Sequence, residues 1–245
     1  MTSFLFYDAL LPILQKAFES QTETLTAVAH KMADVVGADH LIYVFGAGHA
    51  GIVAEEMCYR AGGLVPAVPI FGPGLGVNTR PATLETELER LPGYAALLLD
   101  ACKITAEDML IIHSNSGRNA VAIEMAEEAK KRGICVVALT NVAHSRSVTS
   151  RHPGGLKLMD LADHVLDNCG VIGDAVVKLE GLNQQVSSTS TIVGVALLNA
   201  LVTETARLLL ERGIEPPIFR SANLDGSEAS NKRWMDHYNS RLIYL

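Results

Sequence analysis

Five short apolar runs constrain this chain more than any other feature: LIYVF (41–45), LVPAV (64–68), MLIIH (109–113), ICVVAL (134–139) and HVLD (164–167). Helical patterns follow the first and third runs, at 50–61 and 118–131; a loop follows the second and a polar segment the fourth. Strands that are apolar on both faces must be covered on both, and strands joined through helices run parallel. The pattern therefore predicts an α/β fold with a parallel sheet between layers of helices.

From Phe4 to Val36 apolar residues recur at helical spacing, with Gly37 as the stop, which predicts one or two leading helices. A long helix is expected from Thr189 to Glu211, ended by Gly213 and the Pro216-Pro217 pair. Two Gly- or Ser-rich segments, FGPGLGVNTRP (71–81) and SRSVTSRHPGG (145–155), are expected as long loops, which in such folds often carry function. The expected division is an N-terminal helical segment (1–37), packed on the core or on a dimer partner, and a main domain (38–245) with a C-terminal extension.

At 245 residues and 49% hydrophobic composition the chain can bury a large core. A net charge of -7 leaves no basic stripe for a phosphate backbone, so nucleic acid is not an expected partner. Cys58, Cys102, Cys135 and Cys169 lack the spacing of a disulfide frame or a zinc site, which favours a reducing compartment. The first residues have no basic segment before their apolar stretch and include Asp8, unlike a signal peptide. Mean hydropathy is +0.22, yet the longest apolar run, Ile192 to Val202, is broken by Asn199 and falls short of the ~20 residues of a membrane span. A soluble, cytoplasmic protein with no membrane partner is expected.

Gly46, Gly48 and Gly51 have the G-x-G-x-x-G spacing of a dinucleotide fingerprint, between a strand and a helix. No acidic residue lies between Glu56 and Glu85, however, so nothing at the end of the next strand would hold a ribose, and no cofactor is expected. The glycines either bring backbone close to a ligand or let strand and helix pack tightly.

A second strand-to-helix handover reads Ser114, Asn115, Ser116, Gly117, Arg118, Asn119. The first N–H groups of a helix lack intrahelical partners and sit at its positive end, and ligands of open α/β sheets bind at the carboxyl ends of strands. Phosphate is the expected ligand; the alternative is that Ser114 or Ser116 only caps the helix. A further cluster, Ser187, Ser188, Thr189, Ser190 and Thr191, precedes the long C-terminal helix and offers more hydroxyls than one cap needs.

Taken together, VFGAGHAGIVAEEMCYRAGGL, IIHSNSGRNAVAIEMAEEAKKRGICVVALTN, LADHVLDN and STSTIVGVALLNAL resemble a SIS (sugar isomerase) domain over roughly residues 30 to 215. SNSGRN, GDA (173–175) and SANLDG (221–226) resemble a bacterial branch labelled phosphoheptose isomerase or phosphosugar-binding protein. The resemblance implies a doubly wound sandwich with a five-stranded parallel sheet, a homodimer or higher homo-oligomer, and a phosphosugar at the strand ends. It implies a phosphate grip by Ser114, Asn115, Ser116 and Asn119, with Asn119 where many relatives have Thr or Ser. Relatives often carry serine where this chain has Ala50. The histidine and glutamate of true phosphoheptose isomerases are replaced by Glu56 and Arg60, so their zinc and catalytic residues do not transfer.

An aldose–ketose isomerase needs a base to move a proton between adjacent carbons. Glu55 and Glu56 follow the glycine loop on a helix, about 100° apart, so at most one faces a ligand, with Glu56 preferred. His49 is the histidine placed to meet a sugar in the loop that holds Gly48, whereas His113, ending an apolar strand, reads as a core residue. His152 could act as a lid or reach a partner subunit, and Asn223 and Asp225 could join it or form a plain turn. His144 and His237 stand isolated, and no metal site is expected. The expected function is a cofactor-independent phosphosugar isomerase. A non-catalytic phosphosugar sensor or regulator, and an amino-sugar-phosphate lyase or etherase on the same fold, are the alternatives.

Overall fold

The structure is a computed structural model that describes residues 4–242. The leading run forms two helices, α1 (Leu5–Glu19) and α2 (Thr22–Gly37). Next come β1 (Ile42–Gly46), a single 3-10 turn (Gly48–Ala50), α3 (Gly51–Met57), β2 (Ala67–Ile70), α4 (Ala82–Leu88) and α5 (Tyr94–Cys102). The centre is β3 (Met109–His113), α6 (Ala120–Lys131), β4 (Cys135–Thr140), α7 (Val142–Ser147), α8 (Leu158–Leu161) and β5 (His164–Asp167). The chain ends with a small hairpin, β6 (Ala175–Val177) and β7 (Val186–Ser188), then α9 (Ser190–Glu211) and α10 (Ser227–Tyr238).

Five strands form one sheet in the order β2-β1-β3-β4-β5, with every pairing parallel. Because side chains alternate across a strand, each strand feeds two cores. Ile42, Val44, Met109, Ile111, Val137 and Leu139 join α1, α2, α3 and α9 on one face. Tyr43, Phe45, Leu110, Ile112, Val136 and Ala138 join α5, α6 and α10 on the other. Helix α9 is long and apolar enough to cross a membrane by length and composition, but Val193, Leu197, Leu198 and Leu201 lie in the first of these cores.

Three features differ from the sequence-based expectation. The second strand begins at Ala67 rather than Leu64, because Leu64 bridges Ile218 instead; Pro69 is accommodated in β2 because β2 is an edge strand. Helix α3, expected to reach residue 61, ends at Met57, where Cys58 turns extended and Tyr59 packs edge-on against Phe219 at 5.0 Å. Beyond the 71–81 loop stand two helices, and α4 proves decisive for the site.

Candidate functional site

The chain runs from β1 outward to β2 and then returns to β3 on the other side of β1, so the connections diverge between β1 and β3. A crevice at the carboxyl ends of such strands is where open α/β sheets place ligands. A cleft of about 350 Å³ opens there, lined by Ala47–Ala50, by His113–Ser116 with Asn119, Val121 and Ala122, and by Glu85, Glu89, His144, Asp174 and Ser190. A larger, mostly apolar groove between α1, α2 and α9 lies away from the strand ends.

The first glycine loop owes its composition to packing. A Cβ on Gly46 would sit 2.4 Å from the Ala50 carbonyl, so only glycine lets β1 meet the following turn. Gly48 has φ +57, and a Cβ there would come within 3.0 Å of Glu85 Oε1, a group from α4. Its peptide N–H is already used, donating to the Leu75 carbonyl at 2.7 Å.

The loop after β3 is different. Its frame is rigid: the Ser114 N–H donates to Leu139 O, the Gly117 N–H donates to Ser114 Oγ at 3.2 Å, and Gly117 adopts φ +57 beneath Ser145. Asn115 Oδ1 accepts from Asn168 Nδ2 at 2.8 Å, and Asn168 Oδ1 accepts from Asn141 Nδ2 at 3.0 Å. Asn119 Oδ1 accepts from Arg151 Nη1 at 2.7 Å. With both amide oxygens occupied, Asn115 and Asn119 keep their NH₂ donors. Among the described residues the Ser116 N–H and hydroxyl have no partner, and neither have the N–H groups of Asn119 and Ala120 at the start of α6. Unused donors at the positive end of a helix form an anion site.

Acceptors complete the cleft. Glu85 and Glu89 lie four apart across the end of α4; burial first, then the charge of Glu85, push the Glu89 carboxyl up to about 7 despite Arg151 and Arg90 nearby. Glu85 Oε1 is buried without a partner. His113 is 1% exposed; its Nδ1 meets the Ala50 carbonyl at 3.1 Å, which makes it the donor and leaves Nε2 a buried acceptor without a partner. Burial holds the His113 imidazole down at about 4, so it is neutral at physiological pH. His144 Nδ1 accepts the Gly173 N–H at 3.2 Å, which leaves Nε2 to donate. Three carboxyls and no Lys or Arg line this cleft. Among the described residues no three His, Cys, Asp or Glu are grouped to hold a metal.

Several residues singled out from the sequence lie elsewhere. Glu56 is ion-paired with Arg60, and Glu55 borders a separate pocket beside Phe71 and Asn78. His152 faces Glu127, Nε2 to Oε2 3.5 Å, on the outer side of α6. Asn223 and Asp225 are exposed ahead of α10. Ser187 and Ser188 belong to β7, and the start of α9 is filled from within the chain: Asp174 Oδ1 accepts the N–H groups of Thr189 (3.1 Å) and Ser190 (2.8 Å), and Oδ2 accepts the Ser190 hydroxyl at 2.6 Å. Sequence reasoning missed Glu85, Glu89 and Asp174, and His144, expected to stand isolated, lines the cleft. The i,i+4 glutamates of LETELER, directly after a Gly/Pro-rich loop, were the available signal for the first two.

Comparison with known proteins agrees with this architecture. A SIS domain family model matches residues 5–141. A UPF0309 protein of Shouchella clausii is 44% identical over 240 residues, covering 98% of each chain, and one of Oceanobacillus iheyensis is equally similar. In fold the chain is similar to a phosphoheptose isomerase from Francisella tularensis (TM-score 0.55, 14% identity, 82% of this chain and 95% of that one). It is also similar to the Vibrio vulnificus NanR protein complexed with ManNAc-6P (TM-score 0.53, 19% identity, 95% and 67%). With a family model over more than half its length and relatives matched end to end, the chain belongs to the SIS domain family and, within it, to the UPF0309 proteins.

Proposed function

We propose that this protein binds a phosphosugar in the β1/β3 cleft and interconverts its aldose and ketose forms by proton transfer, without a redox cofactor. One juxtaposition carries this reading: unused donors of Ser116 and Asn119 on one wall, and a carboxyl pair with a proton to exchange near neutral pH on another. The phosphate rests on the 114–119 turn, held by the Ser116 N–H and hydroxyl and by the Asn115 and Asn119 amides. The names of the similar solved structures, a phosphoheptose isomerase and a protein complexed with ManNAc-6P, support that ligand class.

A base works best when its pKa lies close to the working pH, and Glu89 meets that condition where Glu56, held by Arg60, does not line the cleft. In the proposed step the Glu89 carboxylate removes a proton from the carbon next to the carbonyl, and the electron pair moves to form an enediol. The same carboxyl returns the proton to the former carbonyl carbon, while the hydroxyl proton passes between the two oxygens of the enediolate, so that no net proton is gained or lost. His144 Nε2–H donates to the carbonyl oxygen as charge develops there, and His113 Nε2 accepts from a sugar hydroxyl.

The test is a thermal-shift screen against hexose, heptose and amino-sugar 6- and 7-phosphates beside the unphosphorylated sugars, since a ligand of the native state raises Tm by mass action. For each sugar that binds, solvent deuterium is then followed into the carbons flanking the carbonyl. A phosphate-dependent shift with deuterium uptake lost in Glu89→Gln supports the proposal. Uptake that survives in Glu89→Gln removes Glu89 as base, and binding without uptake leaves a sensor.

A further inference from the structure

Both ends of α6 carry cations, and they are treated differently. At its carboxyl end Lys130 pairs with Asp163, Lys131 with Glu128 and Arg132 with Asp100. At its amino end stand Arg90, Arg118 and Arg151, and among the described residues none of the three is in an ion pair. Backbone bonds bring them together: the Arg151 N–H donates to Arg118 O at 2.8 Å, and the Val121 N–H donates at 3.1 Å to the carbonyl of Glu89, the residue beside Arg90. A guanidinium has five N–H donors, and most of these stay unused. Arg118 bonds Thr149 Oγ1 (3.2 Å) and keeps a buried Nε without a partner, Arg151 bonds Asn119 Oδ1 (2.7 Å), and Arg90 has no side-chain bond.

We propose that Arg90, Arg118 and Arg151 form an anion site on the outer rim of the cleft, built for a compact, multiply charged phosphate group distinct from the one on the 114–119 turn. Like charges gathered without countercharge oppose folding, and a forked guanidinium matches phosphate oxygens two at a time. The one carboxyl at hand, Glu89, is held partly protonated by burial and Glu85, so it does not supply a full countercharge. Burial first, then Arg118 and Arg90, lower Arg151 against the opposing pull of Glu89, as expected for cations crowded together with too little countercharge. Support of the cleft through Asn119 accounts for one bond of Arg151, but not for the free donors of Arg118 and Arg90. The site stands whether or not the cleft takes a sugar, because none of these arginines lines it.

The experiment is a thermal-shift titration with inorganic pyrophosphate at fixed ionic strength, with sodium chloride as control, on the parent, Arg90→Gln, the Arg118→Gln/Arg151→Gln pair, Ser116→Ala and Lys131→Gln. Arg90 is exposed and has no side-chain bond, so its variant leaves the fold untouched. The expected result is a pyrophosphate-dependent rise in Tm in the parent and Lys131→Gln, at least halved in Arg90→Gln and abolished in the double variant. No rise in the parent, or a rise unchanged in Arg90→Gln and the double variant, overturns the site. Ser116→Ala identifies where the anion comes from. A rise lost there as well means that one ligand spans turn and arginines and so carries two acidic groups, whereas a rise retained means a separate effector.

Discussion

The turn before α6 and the start of α9 are built from similar residues, small hydroxylic side chains ahead of a long buried helix, yet they are electrically different. At α9 the peptide donors of Thr189 and Ser190 are taken by Asp174, a carboxylate fifteen or sixteen residues earlier in the chain. At α6, among the described residues, no carboxylate accepts from the turn; Asp174 is taken by α9, and Glu85 and Glu89 face each other across the cleft wall. The positive end of a helix can be neutralised from within or left for a ligand, and a serine count does not tell the two apart. The location of the nearest carboxylate does.

The largest expected effect tests the carboxyl that burial raises in the cleft. If Glu89 is the base, Glu89→Gln lowers turnover by ~10²–10⁴-fold with the fold intact, measured as deuterium exchange and product formation. Asp174→Ala tests the other helix. Removing a charged acceptor of several buried donors should cost about 2–3 kcal/mol of stability in urea unfolding. It should also open a new phosphate-dependent thermal shift, absent in the parent, as the α9 start becomes available; stability unchanged in Asp174→Ala would end the contrast. Ser116→Ala should act in the opposite sense. Its hydroxyl has no partner among the described residues, so Tm without ligand should hold, while phosphosugar affinity falls by roughly tenfold, the cost of about 1–1.5 kcal/mol for one hydrogen bond. Affinity equal to the parent in Ser116→Ala would remove the turn as the phosphate site.

How much of this was legible in the sequence follows the same division. Strands β1, β3 and β4 were readable because a strand covered on both faces is apolar throughout, whereas β5 is a half-buried edge strand and β2 shifted because Leu64 found Ile218, far along the chain. The 114–119 turn was readable because its chemistry is local: hydroxyls, a glycine at φ +57, and a helix start. The carboxylates were not. Glu55 and Glu56 sit on the helix after the glycine loop, where periodicity fixes their angular separation but not which face the sheet covers. Glu85 and Glu89 reach the cleft because α4 folds back over Gly48, a contact no local pattern records. Asp174 is likewise placed by the β6–β7 hairpin, which brings GDA and the serine cluster side by side through the Ala175 and Ser188 pairing.

The pH dependence is also specific to the open cleft, because two of its groups titrate in opposing directions. Glu89 is raised from 4.5 to about 7 in the folded protein, so between those values the native state holds more protons than the unfolded chain and stability falls as pH rises. His113 is lowered from 6.5 to about 4, so between those values the unfolded chain holds more protons and stability rises with pH. From about pH 4.5 to 6.5 the two slopes overlap and largely cancel. Glu89→Gln removes one of them and leaves His113 uncovered, so its Tm should climb through this window more steeply than that of the parent. Groups that do not interact with Glu89 are common to both proteins and drop out of the difference, so paired thermal melts in matched buffers report on the Glu85–Glu89 pair and on His113. Parallel Tm profiles would mean that Glu89 does not hold its proton in the folded cleft, and the contrast between a carboxylate bonded to helix donors at α9 and one raised by burial beside α6 would lose its physical basis.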